Sequence, residues 1–191
     1  MIQPTAVVAG ELDELTLKRA QRGDDAACRR LVETYQRAVF GILSRMLAPY
    51  GRRARVEDLA QETFLRVFRA LPGFSTSGPA RLSSWILTIA TRLALDELAK
   101  KDRGAPLADA LHVASASRAD ETLERRTLGA ALERAVRGLE PAFAAVFLLR
   151  EVHELEYDEI ARALDLELGT VKSRLARARA ALRAALEEVK P

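Results

Sequence analysis

Two helical patterns follow one another between Leu155 and Leu186 (LEYDEIARALDLELGTVKSRLARARAALRAAL), separated by only three residues. Tyr157, Ile160, Ala161 and Leu164 fall at i, i+3, i+4 and i+7, one apolar face of a short helix. Asp165, Leu166 and Glu167 interrupt the pattern. A second stripe then runs through Leu168, Val171, Leu175, Ala178, Leu182 and Leu186. A short helix, a tight turn and a longer helix form a helix-turn-helix. Few other arrangements let both stripes reach one core.

Charge separates the two helices. Glu151 to Glu167 holds seven acids and one base, Arg162, whereas Leu168 to Arg183 holds five bases (Lys172, Arg174, Arg177, Arg179, Arg183) and no acid. At about 100° per residue, Ser173, Ala176, Arg177 and Ala180 lie opposite the apolar stripe, with the other bases on its shoulders. Small residues permit close approach and bases meet phosphate, which suits a helix in a DNA major groove. A solvated charged face is the plainer explanation of such a run; the switch from acid to base at the turn favours DNA.

Leu, Ala, Arg and Glu dominate the chain, and no stretch alternates in the manner of a strand. The expectation is an all-α protein of two small helical domains joined by a flexible linker. Residues 1–101 carry a net charge of +5 and residues 127–191 a net −1, so the basic character of the C-terminal part is confined to one helix. That pattern points to local groove contact rather than general adhesion. A single cysteine, Cys28, excludes a disulfide framework and a thiolate metal site, and it falls on an apolar stripe as a small core residue. His112 and His153 lie far apart without a motif, so neither reads as a ligand or catalyst. No cofactor, metal or catalytic constellation is expected. The N-terminal MIQPTAVVAGELDE lacks the basic and apolar parts of a signal peptide. The longest apolar run, Ala142 to Leu149, is far short of the roughly 20 residues of a membrane span. A cytoplasmic protein without membrane insertion is expected.

In chain order, residues 1–10 read as a tail and residues 11–101 as the first domain. Glu11 to Arg22 reads as a helix stopped by Gly23. Asp24 is placed to cap a helix that runs to about Leu47, with Leu31, Tyr35, Ala38, Ile42 and Met46 on one face. Pro49, Tyr50 and Gly51 break it. The helix VEDLAQETFLRVFRAL (Val56–Leu71) has a core stripe of Val56, Leu59, Ala60, Thr63, Phe64, Val67 and Leu71. Asp58, Gln61, Glu62 and Leu65 form a second stripe, either solvent surface or a docking face for a basic partner. A loop over 72–80 leads to a helix in RLSSWILTIATRLALDELAKKDR. There Leu82, Trp85, Ile86, Ile89, Leu93 and Leu98 are expected to be buried, and Ser84, Thr88, Thr91 and Arg92 to face outward. With Phe74 of the loop, this surface suits an unstacked base, although a packed tryptophan on a solvated helix would look the same. Residues 102–126 read as the linker, able to span roughly 80–90 Å when extended. Residues 127–191 form the second domain.

With both domains in view, the sequence resembles the bacterial RNA polymerase sigma factors of the extracytoplasmic-function (ECF) group, over about residues 15–101 and 127–187. VEDLAQETFLRVFRAL is similar to the family's core-binding helix, WILTIATRLALDELAKK to its promoter-melting helix, and residues 139–182 to its C-terminal domain. The resemblance implies that Asp58, Gln61, Glu62 and Leu65 grip the clamp helices of the largest polymerase subunit. It implies that Phe74, Ser75, Ser77, Trp85, Thr88 and Arg92 read the minus-ten element and capture flipped bases. It implies that Thr170, Lys172, Ser173, Arg174, Arg177 and Arg179 read the minus-thirty-five element, near the flap of the second-largest subunit. Core RNA polymerase, promoter DNA and a dedicated anti-sigma protein are the implied partners.

The chain departs from the family pattern at four places. Arg92 replaces Asn and Asp165 replaces Gly. Glu156 and Glu167 stand where capping serines are common. Ala142, Phe143, Ala144 and Ala145 replace a polar, basic stretch. Two competing readings account for part of the chain: a stand-alone helix-turn-helix regulator explains Leu155–Leu186, and a helical adaptor explains the amphipathic helices.

Overall fold

The computed structural model describes residues 11–75, 77–78, 80–100 and 133–187, which contain helices and turns and no strand. The expected tail and linker lie outside the described residues. The first module holds α1 (Glu14–Gln21), α2 (Asp25–Leu47), α3 (Arg55–Ala70) and α4 (Leu82–Ala99). The second holds a helical stretch at 133–137, α5 (Pro141–Phe147), a widened π-type turn at Leu148–Val152, α6 (Tyr157–Leu164) and α7 (Leu168–Glu187).

Local chemistry sets the helix ends. The first helix is shorter than the periodicity predicts, because the Asp13 carboxylate takes the Thr16 N–H at 2.9 Å and starts α1 there. Gly23, at φ +81°, turns the chain, and Asp24 caps α2 by accepting from Ala27 N at 2.9 Å. Gly51 at φ +69° closes the turn after α2. The expected stripe of α2 is buried throughout: Leu31, Tyr35, Ala38, Ile42 and Met46. The whole core stripe of α3, Val56 to Leu71, is buried as well.

In the second module, Glu156 caps α6 through a reciprocal capping box, and the Glu159 carboxylate accepts from Glu156 N at 2.7 Å. A carboxylate here replaces the common serine without orphaning the helix start. Asp165, at φ 54° and ψ 54°, adopts the left-handed conformation that closes α6, where the family pattern has Gly. Ala144 and Ala145 are core residues at 4% and 0% exposure, so the non-polar character of that stretch serves packing.

The buried side chains of both modules form one contiguous apolar cluster. α4 packs on α2 and α3 on one side and on α5 and α6 on the other. This corrects the expected faces of α4. Leu87, Ala90 and Ala94 are fully buried, whereas Trp85, Ile89 and Leu98 are only half-buried. A helix covered from several directions has no single apolar stripe to read. Thr91, expected outside, is completely buried, with its hydroxyl donating to Leu87 O at 2.8 Å. Ser84, also expected outside, is 2% exposed because the second module lies over it.

Candidate polymerase and promoter surfaces

α3 presents its second stripe to solvent. Asp58, Gln61 and Leu65 are exposed and Glu62 is half-buried. Leu65 is among the few large apolar side chains left 51% exposed. Asp58 pairs with Arg55, and Glu62 with Arg66 at 2.7 Å, both within the helix. Such exposed pairs stabilise little, so a basic partner competes for these carboxylates at small cost. At the far end of α4, Glu97 is 4% exposed and bonds Lys100 at 2.8 Å, and Arg55 and Arg52 at 3.2 Å each. The Lys100 hydrogen bond, ahead of those from Arg55, holds its carboxyl below the usual range. This knot fixes the start of α3 against the end of α4.

The expected minus-ten residues fall in two groups. Phe74 and Trp85 pack as a tilted aromatic pair with centroids 5.0 Å apart. Ser75 and Ser77 are exposed beside them, with their hydroxyl oxygens 2.8 Å apart. The second group lies at the seam between modules. Ser84 Oγ donates to Glu159 Oε1 at 3.1 Å. Arg92 donates from Nε to Ala163 O at 2.7 Å and from Nη2 to Arg162 O at 3.3 Å. Those carbonyls belong to the last turn of α6, where helical acceptors lack internal donors and a cation is favoured by the helix dipole. Arg92 therefore caps the first helix of the helix-turn-helix. Thr88 is half-buried and turns its hydroxyl back to Ser84 O at 2.7 Å.

Further contacts hold the seam. Arg81 donates to Glu154 O at 3.3 Å, and Tyr50 OH donates to Leu139 O at 2.8 Å. An open groove beside it is lined by Arg81, Arg150, Glu151, Glu154, Glu156, Asp158 and Glu159, an acidic rim that repels nucleic acid. His153 is buried with neither ring nitrogen hydrogen-bonded. Burial, reinforced by the Arg45 charge of α2, lowers its pKa to about 4. The burial of His153 was not legible in the sequence, because an isolated histidine carries no local sign of being buried.

The basic face of α7 is open. Ser173, Ala176, Arg177 and Ala180 are exposed, as their positions opposite the apolar stripe predict, and Lys172 is exposed on its shoulder; Val171, Leu175, Ala178 and Leu182 of the stripe are buried, whereas Leu168 at its head is 42% exposed. Thr170 and Arg174 flank this face half-buried. Ser173 Oγ donates to Thr170 O at 3.0 Å. Arg179 differs, because its Nε donates to Glu151 Oε1 at 3.1 Å and its guanidinium is committed to that carboxylate.

The sequence matches Sigma-70 region 2 over residues 31–104 and Sigma-70 region 4 over residues 129–182. It is 33% identical over 178 residues to the ECF RNA polymerase sigma-E factor of Haemophilus influenzae, covering 87% of this chain and 91% of that protein. The chain belongs to the ECF sigma factors of the sigma-70 family. The sigma-E factor of Escherichia coli K12 is 30% identical over 181 residues, 89% of this chain and 92% of that relative. Two solved structures share the fold. CnrH in complex with the cytosolic domain of CnrY has a TM-score of 0.62 at 21% identity, covering 93% of this chain and 99% of that one. The sigma factor RpoE with the anti-sigma factor NepR from Bartonella quintana has 0.63 at 19%, covering 83% and 96%. The α3 stripe and the loop with α4 fall within the region 2 match of this sigma factor, and α6 with α7 as far as Leu182 within region 4. A stand-alone regulator or an adaptor explains only one of the two matched regions. Among the described residues, no helix of the sigma factor is long and apolar enough to cross a membrane.

Proposed function

We propose that this sigma factor docks on core RNA polymerase through Asp58, Gln61, Glu62 and Leu65, and reads promoters with two separate surfaces. Asp58, Gln61 and Glu62 offer acceptors to basic groups on the clamp helices, and Leu65 supplies an apolar contact. Phe74 and Trp85 stack an unstacked base of the minus-ten element, with Ser75, Ser77, Thr88 and Arg92 offering polar contacts around it. Lys172, Arg174 and Arg177 meet phosphates and base edges of the minus-thirty-five element, with Thr170 and Ser173 at the approach of α7. Arg179 joins them once it exchanges Glu151 for phosphate. The flap of the second-largest subunit holds the second module, and residues 102–126 tether it to the first. The chain supplies binding energy and placement; polymerisation chemistry belongs to the core enzyme in the cytoplasm.

One observation carries the reading: the α3 stripe and the basic face of α7 are open, while Ser84 and Arg92 on α4 are engaged by α6. In the free chain, the helix that would face melted DNA is partly covered by the other reading module. Core docking at α3 does not compete with this seam, and separating the modules on the polymerase exposes α4. An anti-sigma protein that favours the joined arrangement would hold the factor inactive. The test is run-off transcription by bacterial core polymerase on a library of randomised promoters, with and without this chain. Transcripts that depend on it, sharing two spaced motifs, support the reading. Absence of dependent transcripts with active core and folded protein refutes it.

A further inference from the structure

Among its described residues, the loop between α3 and α4 is held by few internal bonds. It carries Gly73, Gly78 and exposed serines, and its internal bonds include Phe74 N to Leu71 O at 3.0 Å and Gly78 N to Ser75 O at 3.2 Å. A loop of this composition loses much conformational entropy when ordered. Both its ends are tied by side chains that precede α2. At the start, the Gln21 carboxamide donates to Leu71 O at 3.0 Å and to Phe74 O at 2.7 Å, using both amide hydrogens. At the other end, α4 begins after Arg81, whose guanidinium has no acceptor and cannot cap a helix. Glu11 takes that role from 72 residues away: its carboxylate accepts from Ser83 N at 3.3 Å and from the Ser83 hydroxyl. A carboxylate at this position satisfies an orphan N–H and complements the helix dipole. Glu11 is itself anchored. The buried Tyr35 hydroxyl donates to Glu11 Oε2 at 3.1 Å and accepts from Leu12 N at 3.0 Å.

We propose that Glu11 and Gln21 are positioning residues for promoter reading, bracing the loop and the start of α4 so that Phe74 and Trp85 present a fixed stacking surface. The proposal rests on the minus-ten role given to that aromatic pair. Both braces lie before residue 31, outside the region 2 match. Neither touches the α3 stripe. Their effect is on loop geometry and not on core affinity.

The chain has a single tryptophan, so Trp85 emission reports the loop directly. Gln21→Glu preserves shape but sets a carboxylate oxygen against two carbonyls, and Glu11→Ala removes the distant cap. In the full chain, each substitution is expected to shift Trp85 emission to the red and raise its quenching by acrylamide, with helix content and core affinity unchanged. The affinity of the assembled holoenzyme for a single-stranded oligonucleotide carrying its minus-ten motif falls about tenfold, the scale of weakening one base–aromatic stack. Arg81→Ser in the Glu11→Ala background supplies a local cap and restores both readouts. Phe74→Ala separates the two levels of inference. If Phe74→Ala leaves oligonucleotide affinity unchanged, the promoter reading fails and the brace fails with it. If Phe74→Ala weakens capture but Gln21→Glu and Glu11→Ala do not, the brace alone is overturned. Parallel losses of core affinity and capture also overturn it, because they mark general destabilisation.

Discussion

Replacing Arg92 by Ala should loosen the joined arrangement of the modules by a calculable amount. The side chain makes two charge-assisted bonds, at 2.7 and 3.3 Å, to the final carbonyls of α6. Hydrogen bonds to charged groups contribute about 1.5–3 kcal/mol each when well made. Arg92 is exposed, and the longer bond is open to water. A combined loss of roughly 1–2 kcal/mol is therefore the sound figure. That shifts the ratio of joined to separated modules by a factor of roughly 5–30. The remaining contacts, Ser84 to Glu159, Arg81 to Glu154 O and Tyr50 to Leu139 O, keep the seam from dissolving. Fluorescence energy transfer between labels on the two modules reads the change in the free chain. Docking of core at the α3 stripe does not compete with the seam, so core affinity should stay unchanged and serves as the control that the first module is intact. Arg92→Asn, the residue of the family pattern, is too short to reach both carbonyls and should behave like Ala. Unchanged transfer efficiency in both variants would refute the role given to Arg92 at the seam.

Three further outcomes follow from the other surfaces. Asp58→Lys with Glu62→Lys should abolish co-purification with core while leaving the melting temperature within a few degrees, because only exposed intrahelical pairs are lost; retained co-purification would remove the docking assignment. Arg177→Ala should weaken holoenzyme binding to a promoter with a minus-thirty-five element by about 1–3 kcal/mol if the side chain reads a base, or lower the salt slope by about 1 if it meets phosphate; no change in either quantity rules out contact. His153 is held neutral when folded down to about pH 4, whereas its ordinary pKa is 6.5. The unfolded chain takes up that proton first, so stability falls as pH drops from about 6.5 to about 4, by roughly 3 kcal/mol in all, with no further loss from this group below that range. His153→Leu should flatten denaturant-measured stability across that window, and an equally steep decline in the variant would show that other groups cause it.

Much of this protein is legible in its residues because the signals are local. The faces of α2 and α3 follow from spacing, since each keeps charged residues on its solvent side (Arg29, Arg30, Glu33 and Arg37 on α2, Glu57, Asp58, Arg66 and Arg69 on α3), which sets off one apolar stripe. Asp24 as a cap and the open face of Ser173, Ala176, Arg177 and Ala180 follow from the same short-range rules. The order of the two regions, with the resemblance it carries, is also a property of the chain alone.

Tertiary structure decided what depends on neighbours distant in sequence. α4 is enclosed by four helices of both modules, so its periodicity could not reveal that Thr91 and Ser84 are buried. Whether Arg92 faces DNA or α6 depends on where the second module sits, and no spacing within α4 encodes that. The same holds for Arg179, which looks free on the helix but is paired with Glu151. Glu11 reads as an unremarkable acid at a helix start until folding brings Ser83 to it across 72 residues. Side-chain periodicity records which way a residue points relative to its own helix, whereas only the packed chain determines what stands there to meet it.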